Sequence, residues 1–142
     1  MEAFVLSAVL ADEIVAHARE GYPEEVCGFI AGRHGVGVAL YRGRNVSATP
    51  RVAYELDVET LAQQIEFEEM GLALVAIYHS HLAGPETPSE TDLARAFYPD
   101  AACVICSLAD RARPTLRAFR IVAGRAWEVS LVRAGPGAIV PI

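Results

Sequence analysis

Leu72-Ala73-Leu74-Val75-Ala76-Ile77-Tyr78 is an unbroken apolar run that ends directly on His79-Ser80-His81. Gly71 precedes it, and a loop with Gly84, Pro85 and Pro88 follows. A short continuous apolar run between such breakers reads as a strand buried on both faces. Residues i and i+2 of a strand face the same side, about 6.5 Å apart along the chain. His79 and His81 therefore share one face at the C-terminal end of the run. Ligands of α/β sheets gather at that end of a strand.

Outward from this strand, helices and strands mix. Downstream, Ser89 to Phe97 reads as a helix that Pro99 ends. Ala101 to Leu108, Thr115 to Val122 and Ala126 to Val132 read as strands. Upstream, Val58 to Met70 reads as an amphipathic helix with Leu61, Ile65 and either Phe67 or Glu68 near one face and Gly71 as its cap. Arg51 to Asp57 is expected to be a short strand. Glu25 to Ala31 and Gly35 to Tyr41 read as a hairpin, with Phe4 to Leu6 as an opening strand. In Ala11 to Glu20, Ile14, Val15 and Ala18 recur at helical spacing, and Gly21 and Pro23 stop the helix. The expected architecture is an α/β or α+β sandwich, a mixed β-sheet flanked by helices, in one domain over residues 1–142.

Asp92 falls in the first turn of the helix that follows the histidines, where its carboxylate can point back to the strand end. Two imidazoles and a carboxylate leave one tetrahedral position open, the arrangement of a catalytic zinc site, with one ion per chain. Bound zinc brings the pKa of its water to about 7. A base must then take the proton and pass it to the leaving amine. Glu25 is the candidate base, and Glu24 would face the other way on the same strand. Ser89 is the candidate donor to the tetrahedral oxyanion. Simpler readings compete. Ser89-x-x-Asp92 also fits a helix capping box, and one carboxylate cannot fully serve both tasks. Two histidines at a strand end can be inert, and Glu25 can be a salt-bridged strand residue. Ser80 is expected to bond locally.

His79-Ser80-His81, with Ser89 and Asp92 at this spacing, resembles the JAMM motif of the MPN+ metalloproteases. Pro23-Glu24-Glu25-Val26-Cys27-Gly28 resembles that family's catalytic-glutamate strand, in which the glutamate stands three residues before a glycine. The resemblance assigns the base to Glu25. It covers roughly Ala11 to Leu108. It implies a cytidine-deaminase-like fold. It implies hydrolysis of the amide or isopeptide bond that follows the C-terminus of ubiquitin or a ubiquitin-like protein. The chain lacks room for the long insertions of eukaryotic members and looks like the short prokaryotic ones. Some of those act on sulfur-carrier (ThiS/MoaD-like) proteins with Gly-Gly tails. A Mec-type branch releases cysteine from a carrier–cysteine adduct.

Composition narrows the alternatives. The net charge is −6 and the pI about 5.2, with twelve arginines and no lysine. That balance speaks against a nucleic-acid partner. No apolar run approaches the ~20 residues of a membrane helix. The opening residues show no signal peptide. Three cysteines, Cys27, Cys103 and Cys106, form no disulfide framework. A cytoplasmic, reduced protein is expected. Exposed strand edges are compatible with a homodimer. Cys103-x-x-Cys106 superficially resembles the cysteine half of a deaminase zinc site. However, residues i and i+3 of a strand face opposite sides, and the His-x-Glu partner is lacking. Cys27 reads as a core residue, and His17 and His34 as surface residues. A scaffold that has lost its metal is the remaining rival, and such a chain would not be expected to keep every ligand.

Overall fold

The computed structural model describes residues 3–135 and 138–141. In chain order the elements are β1 (Ala3–Ser7), α1 (Ala8–Gly21), β2 (Cys27–Arg33), β3 (Val36–Arg42) and α2 (Val58–Glu69). They continue with β4 (Ala73–His81), α3 (Glu90–Ala94), β5 (Ala102–Ser107), β6 (Thr115–Val122), β7 (Arg125–Gly135) and β8 (Ala138–Pro141).

The strands form one mixed sheet in the order β1-β3-β2-β4-β5-β6-β7-β8. The expected mixed sheet with flanking helices is found, but the sandwich is corrected to a closed sheet. β1 also pairs in parallel with β7, from Ala3–Ser130 to Ser7–Ala134, so the sheet closes on itself like a barrel. A right-handed twist accumulated over many strands carries the ends of a sheet round toward one another. β4 lies inside this sheet, antiparallel to β2 and parallel to β5. The strand that carries both histidines is thus held by backbone hydrogen bonds on each side.

The two faces of β2 show why the helices take opposite positions. Ile30 packs in the main core with Phe4, Leu6, Tyr78 and Val104, together with Ala11, Ile14 and Ala18 of α1. Its neighbours Phe29 and Ala31 face the other way and meet Phe67 of α2. Ser7 caps α1, its hydroxyl accepting the Leu10 N–H at 3.1 Å.

Three local expectations are corrected. α2 buries Thr60 and Phe67, whereas Leu61 and Ile65 are exposed. Asp57 sets this face. It caps the helix, accepting the Thr60 N–H and hydroxyl at 3.2 and 2.8 Å, and so turns Thr60 inward. Residues 51–57 form no strand, and only one isolated bridge joins Asn45 to Leu56. The Ala53 carbonyl and the Glu55 N–H of this segment bond to the Asn45 side chain instead. The helix expected over Ser89 to Phe97 stops at Ala94.

Candidate metal centre

β4 delivers His79 and His81 to one spot, both buried. The Nε2 atoms of the two rings stand 3.1 Å apart. Asp92 Oδ2 lies 3.1 Å from His79 Nε2 and 2.9 Å from His81 Nε2. One donor atom from each of His79, His81 and Asp92 lies within 4.8 Å of the others. Two ring nitrogens and a carboxylate oxygen converging this closely suit a borderline cation such as zinc. His81 Nδ1 lies 2.7 Å from the Pro85 carbonyl, which makes Nδ1 the protonated nitrogen and leaves the Nε2 lone pair facing the cluster.

The capping box at Ser89 is real and coexists with the cluster. The Ser89 hydroxyl accepts the Asp92 N–H at 3.1 Å, and the Ser89 N–H donates to Asp92 Oδ2 at 2.9 Å. The same carboxylate oxygen therefore caps α3 and faces both imidazoles. Competition between the two tasks was the expectation. The short helix aims its first turn at the end of β4, so the cap does not draw the carboxylate away from the imidazoles.

The charges respond to one another. Burial opposes the Asp92 carboxylate, but the two imidazoles and the Ser89 N–H outweigh it and hold its pKa well below the usual range. Burial pushes the His79 pKa down. Burial acts likewise on His81, but Asp92, the Pro85 carbonyl and Glu25 overcome it and raise that pKa.

Glu25 is buried while Glu24 is exposed. It stands just ahead of β2 instead of within it, a small correction. Its carboxyl is pushed up to about 7, first by burial and then by the Asp92 charge, with His81 opposing. Val26 pairs with Ser80 through two hydrogen bonds, which brings Glu25 to the end of β4 that carries His81.

Several residues around the site were missed or misjudged in the sequence. Tyr54 stacks on His79 with ring centroids 4.6 Å apart and planes 27° from parallel. Ser80 does not bond locally: its hydroxyl accepts the Val26 N–H at 2.8 Å, 54 residues away in sequence. His17 is half-buried, 2.7 Å from the Tyr78 hydroxyl, and not a free surface residue. His34 is exposed in the turn between β2 and β3. The three thiols are free. Cys106 points into the main core, and Cys103 lines a cavity on the opposite face. That cavity of about 470 Å³ borders the cluster. Asp92, Tyr54, Leu61, Phe97 and Tyr98 are among its walls. Among the described residues, no helix is long and apolar enough to cross a membrane.

Fold and site together define a mixed α+β domain with a three-donor metal-site geometry at the end of an interior strand. The chain belongs to the family of prokaryotic homologs of the JAB domain, which matches residues 7–122. It is 43% identical over 109 residues to a desampylase of Haloferax volcanii, covering 72% of this chain and 78% of that protein. It is 39% identical over 127 residues to the CysO-cysteine peptidase of Mycobacterium tuberculosis, covering 87% and 86%. Among solved structures, a protein from Desulfitobacterium hafniense matches with a TM-score of 0.83 and 28% identity over 94% of each chain.

Proposed function

We propose that this chain is a zinc metallopeptidase. It hydrolyses the amide bond that follows the Gly-Gly C-terminus of a ubiquitin-like or sulfur-carrier protein. The observation that carries the reading is the convergence of His79, His81 and Asp92 donor atoms within 4.8 Å, beside a buried glutamate. Names of relatives support the substrate class: a desampylase and a CysO-cysteine peptidase both match over more than two thirds of this chain.

His79, His81 and Asp92 would hold the ion. Zinc there supplies Lewis acidity to the scissile carbonyl and to water. Glu25 takes the proton of the attacking water and delivers it to the departing amine. A carboxyl with a pKa near neutrality suits both transfers. The Ser89 hydroxyl oxygen accepts the Asp92 N–H, so its own proton stays available to donate to the tetrahedral oxyanion. The neighbouring cavity receives the extended tail, and Tyr54 forms its wall against His79. An inert pair of histidines would not need the carboxylate between them, and a scaffold would need none of these groups.

Release of cysteine from a carrier–cysteine adduct is the second reading. It is favoured by the match to the CysO-cysteine peptidase over 127 residues. One experiment tests both. The zinc-loaded protein is incubated with a Gly-Gly carrier joined to a lysine amine and, separately, to cysteine. Products are weighed by mass spectrometry. Cleavage after the terminal glycine is expected, and the faster substrate decides between the readings. Failure to cut either conjugate overturns both.

A further inference from the structure

Glu25 lies outside the sheet ladder, yet both of its backbone polar groups are fixed. Its N–H donates to the Pro50 carbonyl at 2.8 Å. Its carbonyl accepts from Asn45 Nδ2 at 2.9 Å. Both partners belong to the segment between β3 and α2.

Asn45 is the sole asparagine of the chain. An asparagine amide offers two N–H donors and an oxygen with two lone pairs. Here every one is used. Nδ2 also donates to the Ala53 carbonyl at 3.0 Å, with a longer contact of 3.4 Å to Pro50. Oδ1 accepts the N–H groups of Ser47 and Glu55, at 3.0 and 3.1 Å. Ala53 and Glu55 flank Tyr54, the residue stacked on His79. One side chain thus ties the segment that carries Glu25 to the segment that floors a histidine of the cluster. Aspartate has the same shape but loses both donors. Glutamine has the donors but an extra methylene.

We propose that Asn45 is a positioning residue. It holds Glu25 and Tyr54 as one unit against the His79–His81–Asp92 cluster. It acts through these neighbours and not on substrate. The inference rests on Glu25 being the base. A displacement of about 1 Å in such a group can cost about a hundredfold in rate.

The first test needs no variant and no substrate. Because Asn45 is unique, selective labelling with [15N]asparagine gives one side-chain amide pair. Both of its protons are expected to exchange with water at least about tenfold more slowly than in an unstructured peptide. Exchange at the free rate overturns the proposal. In Asn45→Ala, amide protection should fall together in residues 24–27 and 53–56 and persist in β5 and β6. Retained protection at Glu25 also overturns it. The kinetic test is a double-mutant cycle on whichever conjugate the wild type cuts. Asn45→Asp should lower kcat by about thirtyfold or more and move KM by less than about threefold. In a Glu25→Gln background the same change should cost less than about threefold more. A full second loss there would mean that Asn45 does not act through Glu25. Should the wild type cut nothing, the functional reading fails, while the labelled amide and the exchange pattern still decide the role of Asn45.

Discussion

The Ser80 hydroxyl accepts the Val26 N–H at 2.8 Å, and the Ser80 N–H returns to the Val26 carbonyl at 3.0 Å. The residue between the two histidines thereby grips the residue that follows Glu25. Ser80→Ala would leave a buried N–H without an acceptor, a loss of about 1–3 kcal/mol. Urea titration should show this loss at an unchanged m-value. Turnover should fall further than stability alone explains, because the proposed base and the proposed ligands share this joint. An unchanged midpoint would show that the bond contributes nothing.

Zinc content checks the ligand set. Wild-type protein dialysed against zinc should retain about one ion per chain by atomic emission, the number expected for a three-donor catalytic site. Asp92→Ala and His79→Ala should retain far less. Zinc at about one hundred times its Kd should stabilise the wild type by about 2.7 kcal/mol. Neither variant should respond at that concentration. Full zinc occupancy in Asp92→Ala would remove the aspartate from the ligand set.

Glu25→Gln keeps the shape of the side chain and removes its basicity. The expected result is a kcat lower by about 10²–10⁴-fold with zinc content unchanged. Steady-state kinetics and emission spectroscopy on the same preparation check both halves. Wild-type turnover in this variant would require a different base.

His17 links stability to pH. Its pKa is lowered to about 4, first by burial and next by Arg42, against the pull of Glu20 and Glu13. The unfolded chain takes up this proton near 6.5 and the folded chain only near 4. Between these values the unfolded state binds more protons, so stability falls as pH drops from 6.5 to 4 and is fully present above 6.5. The half-buried ring makes this worth about 1–2 kcal/mol. Denaturant titrations should show unfolding free energy dropping from pH 7 to pH 4.5 by about that much more in wild type than in His17→Gln. Equal drops would exclude His17 as the source.

Gly28 stands where the β2 backbone meets the Tyr78 ring, and a Cβ there would run into the ring carbons and the phenol oxygen. Tyr78 is fully buried, so it has little room to retreat. Gly28→Ala should cost about 1–3 kcal/mol by overpacking. Thermal melts of the two proteins check this, and an unshifted midpoint would mean that Tyr78 relaxes freely.

What could be read in advance follows from range along the chain. The β4 run, the flanking helices and the His79, His81 and Asp92 set carry local signals, because apolar period and donor spacing are written over a few residues. Apolar spacing on α2 points Leu61 toward the core. In the fold Leu61 lines the cavity beside the cluster, and a polar pair, Asp57 and Thr60, sets the inner face. Residues 51–57 read as a strand but are not one, because their backbone groups turn to the Asn45 amide, Thr49 and Val46. Asn45, Tyr54 and Ser80 gave no signal at all. Their partners lie across the fold, and no spacing rule ties Ser80 to Val26. Closure of the sheet was equally hidden, since it depends on β1 meeting β7 across almost the whole chain.

The three candidate metal donors rest on unequal supports. Both imidazoles hang from a strand bonded to a neighbour on either side. Asp92 rides on a five-residue helix in which no residue is buried as a whole, steadied mainly by its own cap. Such an arrangement works like a fixed jaw and a hinged one. Exchange of the ion with chelators would be governed by how often the hinged jaw swings out, and weakening the Ser89 cap would quicken release before it disturbed the fold.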